Sequence, residues 1–270
     1  MKRVFYGALL SAVSLSAMAD PYSYQTEIGG RYSYIDGGYF DGDDSYGVFG
    51  TYYFSSVQLR NHVYGEAAFL ERASSITLNT RFSDNSRSDD RNCIGTCSAV
   101  LTNESSQHYS LTSEGYVLDS IVYASATYNY WSGDAEYSNG HEASYSDSSW
   151  SGKLGVAPLA GWLLTTGFSD SSALFEDEWN VQSKYVGELA GGRAYNLEAG
   201  YTDWHDGGST WTASGDFYFT RGFSVGGSVG ENDVYSLRAR NFFTPDVSLS
   251  LVMGSYEETD SYSVELIGRF

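Results

Sequence analysis

The chain has 270 residues and carries 34 acidic against 15 basic side chains, a formal net charge of −19. That balance excludes non-specific nucleic-acid binding, which needs clustered Lys and Arg. Tyr and Gly are abundant, at 24 and 30, while Pro is scarce at 3, and this composition favours an all-β body over a helical one.

Lys2 and Arg3 precede an apolar run from Val4 to Leu15, and Ala17-Met18-Ala19 follows as a small-x-small cleavage pattern. Residues 1–19 therefore read as a secretory signal peptide, with residues 20–270 as one mature domain. No later segment reaches the ~20 apolar residues that a spanning helix needs. The mature chain is then either soluble or a closed barrel, because only helices and barrels satisfy backbone groups in lipid.

Period-two alternation begins at once. Tyr22, Tyr24, Ile28, Tyr32 and Tyr34 fall on one face, with Glu27 and Arg31 opposite. Tyr46, Val48, Tyr52 and Phe54 mark a second strand; Ile76, Leu78 and Phe82, opposite Arg81, mark a third. Tyr109, Leu111 and Val117 oppose Glu114, and Val122, Ala124, Tyr128 and Tyr130 follow. Trp150, Leu154 and Val156 oppose Lys153; Trp162, Leu164 and Phe168 form the seventh outer face. Trp179, Val181, Tyr185 and Leu189 oppose Lys184 and Glu188. Next come Tyr195, Leu197, Ala199 and Tyr201, opposite Glu198. Phe217 and Phe219 oppose Asp216, and Phe223, Val225 and Val229 come after a tight turn. Tyr235, Leu237 and Phe243 oppose Arg238 and Arg240; Val247, Leu249, Leu251 and Met253 form a thirteenth strand. The last strand runs through Tyr262, Val264, Leu266, Gly268 and Phe270, with Glu265 opposite.

The pattern predicts an all-β, closed, up-and-down antiparallel transmembrane barrel of about fourteen strands, twelve or sixteen being the alternatives. Short connections follow strands six, eight, ten and twelve. Longer acidic ones are expected at residues 36–44, 84–106, 132–148 and 170–178. The connection from Ser55 to Ala73 breaks this rhythm, and its role is open.

Two stretches near that connection, Thr51-Tyr52-Tyr53-Phe54-Ser55 and Glu66-Ala67-Ala68-Phe69-Leu70-Glu71-Arg72-Ala73-Ser74, resemble a family of porins from Gram-negative proteobacteria. Pro158-Leu159-Ala160-Gly161-Trp162 resembles it too. The resemblance implies a bacterial outer-membrane barrel passing small hydrophilic solutes, and it implies no particular solute. It also implies that Tyr262, Gly268 and the terminal Phe270 belong to a signal read by the barrel-assembly machinery.

By alternation Glu27, Arg31, Arg81, Glu114, Lys153, Lys184, Glu188, Glu198, Asp216, Arg238, Arg240 and Glu265 face the lumen. An Arg or Lys on the lipid face at mid-depth would cost ~2–4 kcal/mol. Mixed charges suit an aqueous channel, and equally a set of ion pairs plugging a narrow barrel; about fourteen strands leave room for the channel. The acidic excess lies mostly in the long loops, beside the lipid and lipopolysaccharide expected as partners. Solvated loop tips explain it, and a vestibule that concentrates cations is the alternative. Asp41-Gly42-Asp43-Asp44 and Glu176-Asp177-Glu178 could hold calcium weakly, but no full calcium-loop spacing is present, so no metal or other cofactor is expected. Tyr22, Tyr34, Phe54, Tyr130, Trp150, Trp162, Trp179, Phe243 and Phe270 read as headgroup girdles, with carbohydrate stacking as the alternative.

Cys93 and Cys97, four residues apart in an exported chain, read as a small loop disulfide; pairing with another chain is the alternative. Asp203, His205 and Asp206 resemble part of an omptin-like protease rim, yet one His beside two acids is a weak pattern and no enzyme is expected. The best reading is a porin. A non-conducting structural or adhesive barrel is the alternative, and monomer and homo-oligomer both stay open.

Overall fold

The computed structural model describes residues 22–37, 40–86, 101–117, 120–137, 140–170, 178–204, 208–256 and 259–270. The predicted signal peptide, the Cys93–Cys97 pair, and His205 and Asp206 of the rim set lie outside them.

Fourteen strands follow in chain order: β1 (Ser23–Gly37), β2 (Phe40–Gln58), β3 (Ser75–Ser86), β4 (Leu101–Tyr116), β5 (Val122–Tyr137), β6 (Glu142–Leu159) and β7 (Trp162–Ser169), then β8 (Glu178–Leu189), β9 (Arg193–Trp204), β10 (Gly208–Tyr218), β11 (Phe223–Gly230), β12 (Tyr235–Thr244), β13 (Val247–Tyr256) and β14 (Thr259–Arg269). Each pairs with its sequence neighbours, and β1 pairs antiparallel with β14 to close one barrel. Phe270 finishes the seam: its carbonyl accepts from the N–H groups of Gln25 and Thr26, and its own N–H donates to Thr26. Closure leaves no strand edge, which a lipid-immersed sheet requires.

The apolar face is turned outward, the reverse of a soluble protein. Leu154, Leu197, Leu237, Phe243 and Met253 are all more than half exposed. Such a belt is stable only against hydrocarbon. Of the predicted girdle rings, Phe54, Tyr130, Trp150, Trp179 and Phe243 are exposed on this outer surface, while Tyr22, beyond the first register shift of β1, lies under Arg60 of the 59–74 connection.

Two expectations need correction. Tyr24 does not share the outer face with Ile28. The β1–β2 register shifts between Tyr24 and Thr26, and the extra residue turns Tyr24 inward, where it is 2% exposed. A bulge inverts the period beyond it. The second correction concerns the long connections. Residues 132–137 continue β5, and 142–148 continue β6, paired from Ser132↔Ser146 out to Glu136↔Glu142. β1 and β2 likewise run on to Gly37↔Phe40. Past the lipid neither face must be apolar, so the ladder goes on while the alternation that reveals it fades.

The start of β1, the end of β14 and the short connections at 160–161, 190–192, 219–222 and 245–246 lie at one end of the barrel, the turn end. The connection at residues 59–74 is at this end too, and it folds inward. It contains a 3-10 turn (Tyr64–Glu66) and a single helical turn, α1 (Ala67–Leu70), without a side-chain cap. So short a helix has no stability of its own; packing holds it. Leu59 and Ala67 bury themselves against Tyr24, Tyr53 and Val57, and Val63 against Ala194 and Tyr218. Leu59 N–H donates to Tyr22 at 2.6 Å, Tyr64 N–H to Arg221 at 2.8 Å, Arg269 Nη1 to the Tyr64 carbonyl at 2.9 Å, and Arg72 Nη2 to the Ala157 carbonyl at 3.1 Å. These anchors lie on opposite parts of the wall, so the segment spans the bore as a floor.

Candidate pore and its floor

Every charged side chain that alternation predicted for the lumen lies opposite the exposed apolar series of its own strand. Antiparallel register then sets charges in cross-strand rows. Arg31 is opposite Glu265, Lys184 opposite Glu198, and Glu27 opposite Arg269. Arg31 Nε donates to Glu265 Oε2 at 3.0 Å, and Arg269 Nε to Glu27 Oε1 at 2.7 Å. Arg238 reaches past β11 to Asp216, with Nε on Oδ1 at 3.0 Å and Nη2 on Oδ2. Gly226 lies between them in the row. A Cβ there would meet Asp216 Oδ1 at 2.4 Å, so glycine opens the path for this forked contact. Arg81 and Arg240 instead donate to hydroxyls, Arg81 to Ser45 and Arg240 to Ser250.

The floor is locked by a carboxylate. Glu66 is 5% exposed. Its Oε2 takes Lys184 Nζ at 2.9 Å; its Oε1 accepts from Asn196 Nδ2 at 3.0 Å and Tyr218 O–H at 2.9 Å. Lys184 Nζ also contacts Glu198 at 3.2 Å and lies 4.8 Å from the Phe69 ring centroid. A buried charge is tolerated only when its lone pairs are met, as they are here. Gly65 makes this approach sterically feasible. An added Cβ would lie 2.6 Å from the Tyr218 hydroxyl and 3.2 Å from Arg240 Nη1. At the rim of the floor His62 bridges two carboxylates, Nε2 to Glu71 at 2.8 Å and Nδ1 to Glu188 at 3.0 Å.

Above the floor is a cavity of about 590 Å³. Glu66, Phe69, Glu114, Lys153, Lys184 and Glu198 contribute to its lining. Among the described residues no group of three or more His, Cys, Asp and Glu side chains could hold a metal ion. Of the predicted rim set, the described Asp203 is on β9, in register with Trp179.

Glu66, Asn196, Tyr218 and Arg269 were missed by sequence reading. Arg269 was within reach, being four residues beyond Glu265 on the same inner face. For Glu66 the only signal was one carboxylate inside a small apolar stretch. Its partners are more than 100 residues away, where no local period reaches.

Comparison with known proteins places this geometry in context. Residues 1–267 match the family model described as a putative general bacterial porin. No curated protein matches. Among solved structures, the outer-membrane protein Omp33 of Acinetobacter baumannii superposes with a TM-score of 0.70 at 23% identity, over 93% of this chain and 100% of that one. OprB of Pseudomonas putida, solved at low pH, gives a TM-score of 0.45 at 9% identity, over 93% of each chain. The Omp33 likeness is one of fold; the family match covers nearly the whole sequence. This fourteen-stranded barrel, with its charged interior and greasy exterior, belongs to the general bacterial porin family.

Proposed function

We propose that the chain is an outer-membrane porin whose throughput is limited by residues 59–74. Small hydrophilic solutes diffuse down their gradients through the charged interior, and the floor at the turn end sets the cutoff. The observation that carries this reading is the anchoring of that segment to opposite sides of the wall through Glu66, Tyr64 and Arg72. Residues 1–19 direct export, the turn end faces the periplasm, and the Phe270 seam is presented there to the assembly machinery. The inner-face charges set ion preference.

The same floor favours a second reading, a barrel that stays shut. Reconstitution in a planar bilayer separates the two. Discrete conductance steps support the porin. A barrel correctly folded, as judged by heat-shifted electrophoretic mobility, yet electrically silent under all voltages would support the shut form.

A further inference from the structure

Two ammonium groups line the cavity above the floor, and they are held differently. Lys184 is paired with Glu66 and Glu198. Lys153 on β6 crosses β7 and donates to Gln182 Oε1 on β8 at 2.9 Å; among the described residues it has no ion-pair partner. Gly167, opposite Lys153 on β7, clears the path, since a Cβ there would lie 2.9 Å from Lys153 Cγ. Arg238 crosses β11 past Gly226 in the same manner, but that crossing ends on the Asp216 carboxylate. The Lys153 crossing ends on a neutral amide. An amide oxygen orients an ammonium and leaves its charge and its other N–H donors uncompensated.

The surroundings of Gln182 are neutral donors. It is in register with Thr165 on β7 and Gly200 on β9, and Gly200 with Thr212 on β10. All four line the same cavity as Lys153. At Gly200 the wall carries no side chain. A Cβ there would lie 3.1 Å from Thr212 Oγ1 and 3.7 Å from Gln182 Cγ, so these two side chains border the gap that glycine leaves. Glu66, Glu114 and Glu198 also line the cavity, against Lys153 and Lys184, so its overall field is negative. A solute with one negative charge is met by Lys153; a second negative charge has no free cation to meet it among the described residues.

We propose that Lys153, oriented by Gln182, is the binding point for small monocarboxylate solutes in the bore. The solute carboxylate accepts a charge-assisted hydrogen bond from Lys153 Nζ. The Thr165 and Thr212 hydroxyls, on the two sides of Gln182, serve its remaining lone pairs. Leu163 and the floor's Ala68 line the same space and accommodate a short hydrocarbon tail. A single ammonium in a negative field holds the solute loosely, as passage requires. The site deepens the porin reading and rests on it, since a solute site in the bore presumes passage through it.

The test uses the full folded chain in non-ionic detergent micelles at low chloride, with ligand-observed NMR titration of acetate. Acetate is expected to bind saturably. Acetamide, which lacks the charge, and malonate, which doubles it, are expected to bind about tenfold more weakly. Lys153→Gln should weaken acetate by a similar factor. Gln182→Glu separates a site from a structural pin. It gives Lys153 an ionised partner, so a pin would be reinforced, whereas the site would be neutralised and acetate binding lost about tenfold. Acetate binding undiminished by Gln182→Glu, equal binding of acetamide or of malonate, or no saturable binding, would overturn the proposal. If a variant fails to fold, the three ligands on the unaltered chain decide alone. Conductance in potassium chloride reads the porin separately: a conducting barrel indifferent to acetate sinks only the site, and a silent barrel that binds it sinks only the channel.

Discussion

The wall and the floor are built by opposite means. The wall's fourteen strands are joined by continuous ladders, so its stability is spread over many hydrogen bonds and a belt of outward apolar side chains. The floor has one helical turn, three fully or nearly fully buried apolar residues, and a few polar anchors. Spread stability resists single substitutions, whereas a structure held at a few points moves when one is lost. A porin needs both, a wall that does not yield and a restriction that evolution can adjust cheaply.

The sharpest attack on the wall is Leu251→Arg, midway along β13 on the exposed face. It should destabilise the barrel by ~2–4 kcal/mol, read as a lower urea midpoint in lipid vesicles. The sharpest attack on the floor is Glu66→Gln, which leaves Lys184 half-paired in a buried setting. Docking of the segment should weaken by roughly 2–3 kcal/mol. Proteolysis within residues 59–74 should accelerate while the urea midpoint of the wall stays put. A wall that melted in step would erase the distinction between the two regions.

Within the bore, Arg238→Gln removes the partner of a nearly buried carboxylate. The cost should be about 1–2 kcal/mol, and the reversal potential in a salt gradient should shift toward cation preference. The smallest effect belongs to His62→Ala. Its carboxylate partners are partly exposed, so the contribution is about 1 kcal/mol or less. Current noise, which reports floor fluctuation, should rise before mean conductance does.

Strand number and strand order were legible because lipid imposes one strict rule, apolar outward at every second residue. Leu197 beside Glu198, or Leu237 beside Arg238, obeys it without reference to any distant part of the chain. The rule ends where lipid ends. Ser132–Tyr137 and its partner strand stay paired beyond that limit, and no periodicity announces them. It also ends at the bulge that turns Tyr24 inward. The floor was illegible for a different reason. Glu66 is placed by Lys184, Asn196 and Tyr218 on three strands that come together only when the barrel closes.

Single-channel conductance of Gly65→Val beside the unaltered chain tests the central claim most directly. The added side chain has no room against Tyr218 and Arg240, so it should drive residues 59–74 out of the bore. A several-fold larger conductance, in a barrel of unchanged wall stability, is the predicted result. Identical conductance in the two proteins would show that this segment does not restrict the pore, and would contradict the account.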